Sequence, residues 1–263
     1  MTQPGQWGDL RNRLISGAAM AAAGVVLIWL GGPWFTGLAA LVSGVMIWEL
    51  SRIVVPAKKT EAIVLGLLGA VAVLAAREVP GVYALPVLAV PALLGVALLQ
   101  RTPLIFMAFA LGILVAGYGL SGFRDAYGVV WLFWLVLVVI ATDVFGYFAG
   151  RLFGGPKFWP RVSPKKTWSG TIAGWVAAAL IGLLFRSFTN AGPDLPWISV
   201  ALSLASQMGD IAESALKRKM GVKDSSALIP GHGGLFDRFD GLLGAALFML
   251  LVAQLVYVPE VRF

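Results

Sequence analysis

The chain has 263 residues, 59% hydrophobic and only 13% charged, with a formal net charge of +7. A soluble domain of this size would be about half apolar and roughly a quarter charged, so the composition excludes an ordinary soluble protein and points to a polytopic membrane protein. With no cysteine, there is no disulfide, thiolate metal site or cysteine nucleophile.

Apolar runs approaching or reaching the length that crosses a bilayer, about 17–25 residues, fall at 14–30, 34–50, 61–76, 82–99, 103–120, 128–150, 168–188, 195–214 and 237–258. The expected fold is all-α, with about nine transmembrane helices in a single membrane domain over 1–263. Within it, 1–127 is less specific and 128–263 carries the residues suited to chemistry. The first two runs are joined only by Gly31, Gly32 and Pro33, and the third is short, so the count could drop to seven or eight. Pro86 and Pro91 fall inside the fourth run and predict a kink. The first run reads as an anchor rather than a cleaved signal, with residues 3–12, including Trp7, at the interface.

Loop charge tests this layout. With nine spans and the N-terminus inside, sixteen of the 20 Lys and Arg lie on the inner side. Only Arg77, Arg124, Arg186 and Arg262 lie outside. That bias predicts a cytoplasmic N-terminus and puts both polar loops, 151–167 and 215–236, in the cytoplasm.

The polar residues concentrate in 209–241. Asp210, Glu213, Ser214 and Lys217 follow an i, i+3, i+4, i+7 spacing, which is one helix face. Asp237 and Asp240 are three apart at the start of the ninth run. Two helix ends are thus expected to offer Asp210, Asp237 and Asp240 to a common space. Hard oxygens of this kind suit Mg²⁺ when phosphate supplies the other ligands. Taken singly, Asp237 reads equally well as a helix cap and Asp210 as half of an ion pair. The stretch Pro230, Gly231, His232, Gly233, Gly234 is rich in exposed backbone N–H and leads into a helix, a plausible cradle for phosphate. His232, the only histidine, is more often structural at such a place than an acid or base.

Two further stretches carry charge. Lys165, Lys166 and Thr167 precede the seventh run and would neutralise phosphate, although positive-inside anchoring explains such loops equally well. Asp143 shares a helix face with Gly146, Tyr147 and Gly150, roughly two turns inside the sixth run. An intramembrane carboxylate is a functional candidate by default, and a polar helix–helix contact is the alternative.

These residues resemble the signature of a known family. Ser214, Lys217, Arg218, Lys223, Asp224, then Pro230, Gly231, His232, Gly233, Gly234, Asp237, Arg238 and Asp240 form a gapless stretch of 27 residues similar to phosphatidate cytidylyltransferases, the CDP-diacylglycerol synthases. The 163–168 loop and the 143–151 stretch also look like that family. Ser169 departs from it, since members often carry Glu there. The resemblance implies a transfer of the cytidylyl group from CTP to phosphatidic acid, releasing pyrophosphate, with Mg²⁺ as cofactor. It implies catalytic roles for Asp210, Ser214, Lys217, Asp237 and Asp240, with Asp210, Asp237 and Asp240 around the metal. Lys165, Lys166, Thr167, Arg218, Lys223, Asp224, Gly231, His232, Gly233, Gly234, Arg238 and Asp143 are expected at the substrates. The partners implied are CTP and phosphatidic acid in the bilayer, without nucleic acid, with a homodimer left open. The location implied is the bacterial inner membrane, active site toward the cytoplasm. The rival readings are a CTP-dependent lipid kinase, a CDP-alcohol phosphotransferase and a cation-coupled transporter.

Overall fold

The computed structural model describes residues 5–229 and 233–259, with side chains from residue 17 onward. Nine helices are present among the described residues: α1 (Gly5–Leu30), α2 (Gly32–Val54), α3 (Lys59–Glu78), α4 (Gly81–Leu99), α5 (Pro103–Tyr127), α6 (Val129–Phe153), α7 (Trp168–Phe188), α8 (Leu195–Met220) and α9 (Phe236–Val252). Six of them, α2 to α7, are long and apolar enough to cross a membrane. The large apolar side chains left uncovered, such as Leu67, Leu104 and Leu183, would be an anomaly in water and are ordinary against lipid.

The chain divides into two compact units, one made of Met1–Ser121 with Val222–Arg238, the other of Gly122–Gly221 with Phe239–Phe263. In the first unit, α2 and α3 meet at a seam of small residues. A Cβ on Gly44 would come 2.7 Å from the Gly66 carbonyl oxygen, and one on Gly66 would come 2.9 Å from that of Gly44. Close backbone approach of this sort drives helix association where there is no water to expel. Helix ends pair as an up-and-down bundle requires. Thr36 at the start of α2 bonds Ser121 near the end of α5 at 2.6 Å. At the opposite end, Lys58 donates to the Leu98 carbonyl, and Arg101 donates to that of Val54 at 3.1 Å.

The second unit is built on α6, α7 and α8. Gly146 and Gly170 face each other, and a Cβ on Gly170 would come 2.4 Å from the Gly146 carbonyl oxygen. Along α8, Ser199, Ser203 and Gln207 find partners on α6 and α7. Trp134 donates to Ser199 at 3.0 Å, Thr142 to Ser203 at 2.7 Å, and Trp175 to Gln207 at 3.1 Å. A buried polar group without a partner is costly, and these pairings offset that cost where α8 packs on α6 and α7.

Several boundaries differ from the sequence expectation. α3 is a full 20-residue helix, because Lys59 and Arg77 extend it into polar ends that a hydropathy window discards. α8 runs on through Lys217, Arg218 and Lys219 to Gly221, whose φ of 77° closes it, the left-handed stop glycine permits. α9 is shorter, 17 residues, giving way to turns at Ala253–Leu255. The 151–167 connection is no plain loop. It folds into an antiparallel hairpin of β1 (Lys157–Trp159) and β2 (Ser163–Thr167), irregular between its two paired positions. Pro164 is tolerated because the hairpin has only edge strands.

Candidate active site

The β2 strand ends at Thr167, which caps α7. Its hydroxyl accepts the Gly170 N–H at 3.3 Å, the usual device for an orphan amide at a helix start. That cap and the hairpin together fix the two lysines just before the helix. Both Lys165 and Lys166 line one cleft, Lys165 the more exposed of the two. Lys166 reaches Asp210 on α8, Nζ to Oδ2 2.5 Å. Asp210 also accepts from Ser214, one helical turn on, at 3.3 Å.

These groups surround a cleft of about 500 Å³ whose walls include Asp143, Tyr147, Arg151, Lys165, Lys166, Thr167 and Asp210. The volume is in the range of small-molecule sites. Arg151 donates to the Tyr147 hydroxyl at 2.9 Å, both exposed at the cleft. Tyr147 and Arg151 are not among the expected site residues, although the spacing puts Tyr147 on the helix face of Asp143.

Asp240 is brought in by α9. Gly209 and Gly244 let the backbones of α8 and α9 touch; a Cβ on Gly209 would come 3.0 Å from the Gly244 amide nitrogen. Asp240 then feels the charges of Asp210, Lys217 and Asp143, and its Oδ1 accepts the Gly241 N–H at 2.7 Å. Lys217 pairs with the buried Glu213 at 2.5 Å, so its ammonium stays close to the helix. Arg218 is exposed.

The remaining expected residues belong to the first unit. Lys223, Asp224 and Arg238 are exposed. Asp237 Oδ2 accepts the Ser225 N–H, the Ser225 hydroxyl and the Gly234 N–H, each at 2.9 Å. Gly233 has φ 83°, a left-handed turn suited to glycine. Gly231 and His232 lie outside the described residues. Among the described residues no three His, Cys, Asp or Glu side chains are grouped so as to cage a metal ion by themselves. Carboxylate oxygens are the donors Mg²⁺ takes, and α8 and α9 bring the charges of Asp210 and Asp240 within reach of each other.

Sequence reasoning missed one carboxylate altogether. Glu49 on α2 is fully buried and bonded to residues 225–236. The same test that singles out Asp143, an ionisable residue inside an apolar run, applies to it.

The arrangement is a cleft of basic and acidic side chains set among apolar helices. Residues 11–256 match the cytidylyltransferase family, and the chain belongs to that family. It is 45% identical over 159 residues to a phosphatidate cytidylyltransferase of Brucella abortus biovar 1 (strain 9-941), covering 58% of this chain and 59% of that one. The matched stretch therefore spans well under two thirds of that relative. To the phosphatidate cytidylyltransferase of Bacillus subtilis (strain 168) it is 31% identical over 272 residues, 94% of this chain and 98% of the relative. To that of Haemophilus influenzae it is 42% identical over 133 residues, 48% and 46% of the two chains.

Proposed function

We propose that the protein transfers the cytidylyl group of CTP to phosphatidic acid, giving CDP-diacylglycerol and pyrophosphate for phospholipid biosynthesis. The observation that carries this reading is the meeting of Lys166 and Asp210 at a cleft that also holds Asp143, Lys165 and Arg151. Cations to hold phosphate stand beside a carboxylate suited to a divalent ion.

The phosphate oxygen of phosphatidic acid, already anionic at neutral pH, attacks the α-phosphorus. The bond from that phosphorus to the bridging oxygen of the β-phosphate breaks, and the electron pair leaves with pyrophosphate. No side-chain nucleophile is needed. The work is electrostatic: two polyanions must approach, and charge builds on the leaving group. Lys165, Lys166 and Arg151 offset that repulsion, and Lys166 gives up part of its contact with Asp210 to do so. Asp210 and Asp240 are the carboxylates that would hold Mg²⁺, with substrate phosphate oxygens completing its shell. When bound, the ion supplies positive charge for the phosphates and the departing pyrophosphate. Asp237 was expected as a third ligand; the present reading gives its carboxylate, already bonded to Ser225 and Gly234, the task of shaping the turn that holds Gly233 and Gly234.

We further infer that α1, α8 and α9 complete a nine-span bundle with the N-terminus and both basic segments in the cytoplasm of a bacterial inner membrane. The sixteen-to-four division of Lys and Arg supports this. Such a site meets a soluble nucleotide on one side and a bilayer lipid on the other.

The deciding assay uses purified protein in detergent, phosphatidic acid, Mg²⁺ and labelled CTP, with the lipid product identified. CDP-diacylglycerol is expected. A phosphorylated lipid alcohol, exchange of a CDP-alcohol headgroup, or no lipid product would overturn the reading.

A further inference from the structure

Glu49 lies in α2, within an apolar span, with none of its surface exposed. A carboxylate there is costly unless its oxygens are satisfied. Every hydrogen bond the structure gives it comes from one segment of chain, 222–238. Oε1 accepts from the Ser226 hydroxyl at 2.5 Å and the Leu235 N–H at 2.9 Å. Oε2 accepts from the Phe236 N–H at 2.6 Å. It also lies 3.3 Å from the Ser225 hydroxyl, whose proton is shared with Asp237. Phe236 opens α9, so Glu49 takes amides left orphaned at a helix start, but from a different helix.

The two sides of one turn thus end on a single carboxylate. Ile229 and Gly233 bond each other across that turn, at 2.8 and 3.2 Å. Gly234 completes the fit, since a Cβ there would meet the Ser225 hydroxyl and come 2.5 Å from Oε1 of Glu49.

We propose that Glu49 is a positioning residue, a buried carboxylate that latches residues 225–226 and 235–236 onto α2 and so holds the Gly233–Gly234 backbone in the form that turnover of CTP requires. The second half of this statement rests on the cytidylyltransferase reading; the latch itself does not.

The test compares full-length wild type, Glu49→Gln and Ser226→Ala in detergent by hydrogen–deuterium exchange and by steady-state kinetics with CTP and phosphatidic acid. Glutamine keeps the shape but turns one acceptor into a donor facing N–H groups. Exchange at Leu235 and Phe236 should rise about tenfold or more, while amides of α6 to α8 keep wild-type rates. kcat/KM for CTP should fall about tenfold or more, with KM for phosphatidic acid unchanged. Ser226→Ala should move both readouts the same way by less, and it carries the test if the glutamine variant does not fold. Wild-type protection at Leu235 and Phe236 would overturn the latch, as would loosening spread evenly over all helices. Wild-type CTP kinetics despite lost protection would overturn the positioning role. A wild-type protein with no turnover would instead strike the proposed function, and exchange at the two amides would still decide for or against the latch.

Discussion

Lys166 and Asp210 lie 2.5 Å apart, one on a strand of the hairpin and the other in the interior of α8. Neither element would bring its charge there alone. The hairpin ends at the Thr167 cap, which sets where Lys166 begins, and the polar pairings of α8 with α6 and α7 set where Asp210 stops. Their side chains remain 24% and 32% exposed, so the pair contributes about 1 kcal/mol or less to stability. What the pair does is set a cation beside an anion at the wall of the cleft.

Replacing Lys166 by Ala should therefore leave folding nearly intact while lowering kcat/KM about a hundredfold or more, the usual scale for a lost charge-stabilising donor. Lys166→Arg should recover part of that loss, since charge returns in altered geometry. Steady-state kinetics in detergent, alongside a thermal unfolding midpoint, checks both. Wild-type kinetics in Lys166→Ala would reduce the hairpin to a topology signal.

Asp210→Asn and Asp240→Asn should each cut kcat by on the order of a thousandfold. The double variant should be little worse than either, because residues that act as a unit do not add. Both single variants should also need more Mg²⁺ for half-maximal rate. Additive losses would mean that the two carboxylates act separately.

Gly209→Ala and Gly244→Ala test the contact that carries Asp240 to Asp210. A methyl group on either would meet backbone rather than a side chain that can turn aside. Overpacking of this kind costs about 1–3 kcal/mol, and the helices should separate. A lowered unfolding midpoint together with reduced kcat is expected, measured by a thermal shift in detergent and by turnover. Gly24→Ala, where nothing lies within 4 Å, is the control.

The orientation can be read in whole cells. The chain has no cysteine, so Lys157→Cys and Lys223→Cys each introduce a single thiol. An impermeant reagent should leave both unlabelled until the cells are opened. Labelling from outside would reverse the sidedness argued from the basic residues.

Much of the bundle could be read from the sequence where periodicity and punctuation agree. The bounds of α7 are those expected, because Thr167 gives a clear start and Arg186 falls in the last turn. Asp210 and Ser214 share a face as their spacing requires. What escaped was set by partners distant in the chain. The hairpin depends on how 157–159 meets 163–167, which no window of hydropathy registers. Glu49 sits at the edge of an ordinary apolar run, and its meaning comes from amides almost two hundred residues later. Asp237 reads from the sequence alone as a metal ligand or as a cap, and the bonds it accepts from Ser225 and Gly234, outside α9, belong to neither reading.

α8 has a consequence for how the protein is made. It is not among the helices apolar enough to cross a membrane unaided, and Ser199, Ser203, Ser206 and Gln207 are all buried along its length. Presented to lipid by itself, such a face would be rejected. The groups that accept it, Trp134, Thr142 and Trp175, lie earlier in the chain and leave the ribosome first. Synthesis order thus puts the polar partners on α6 and α7 ahead of the α8 face that needs them, with Asp210 carried on that later-made helix.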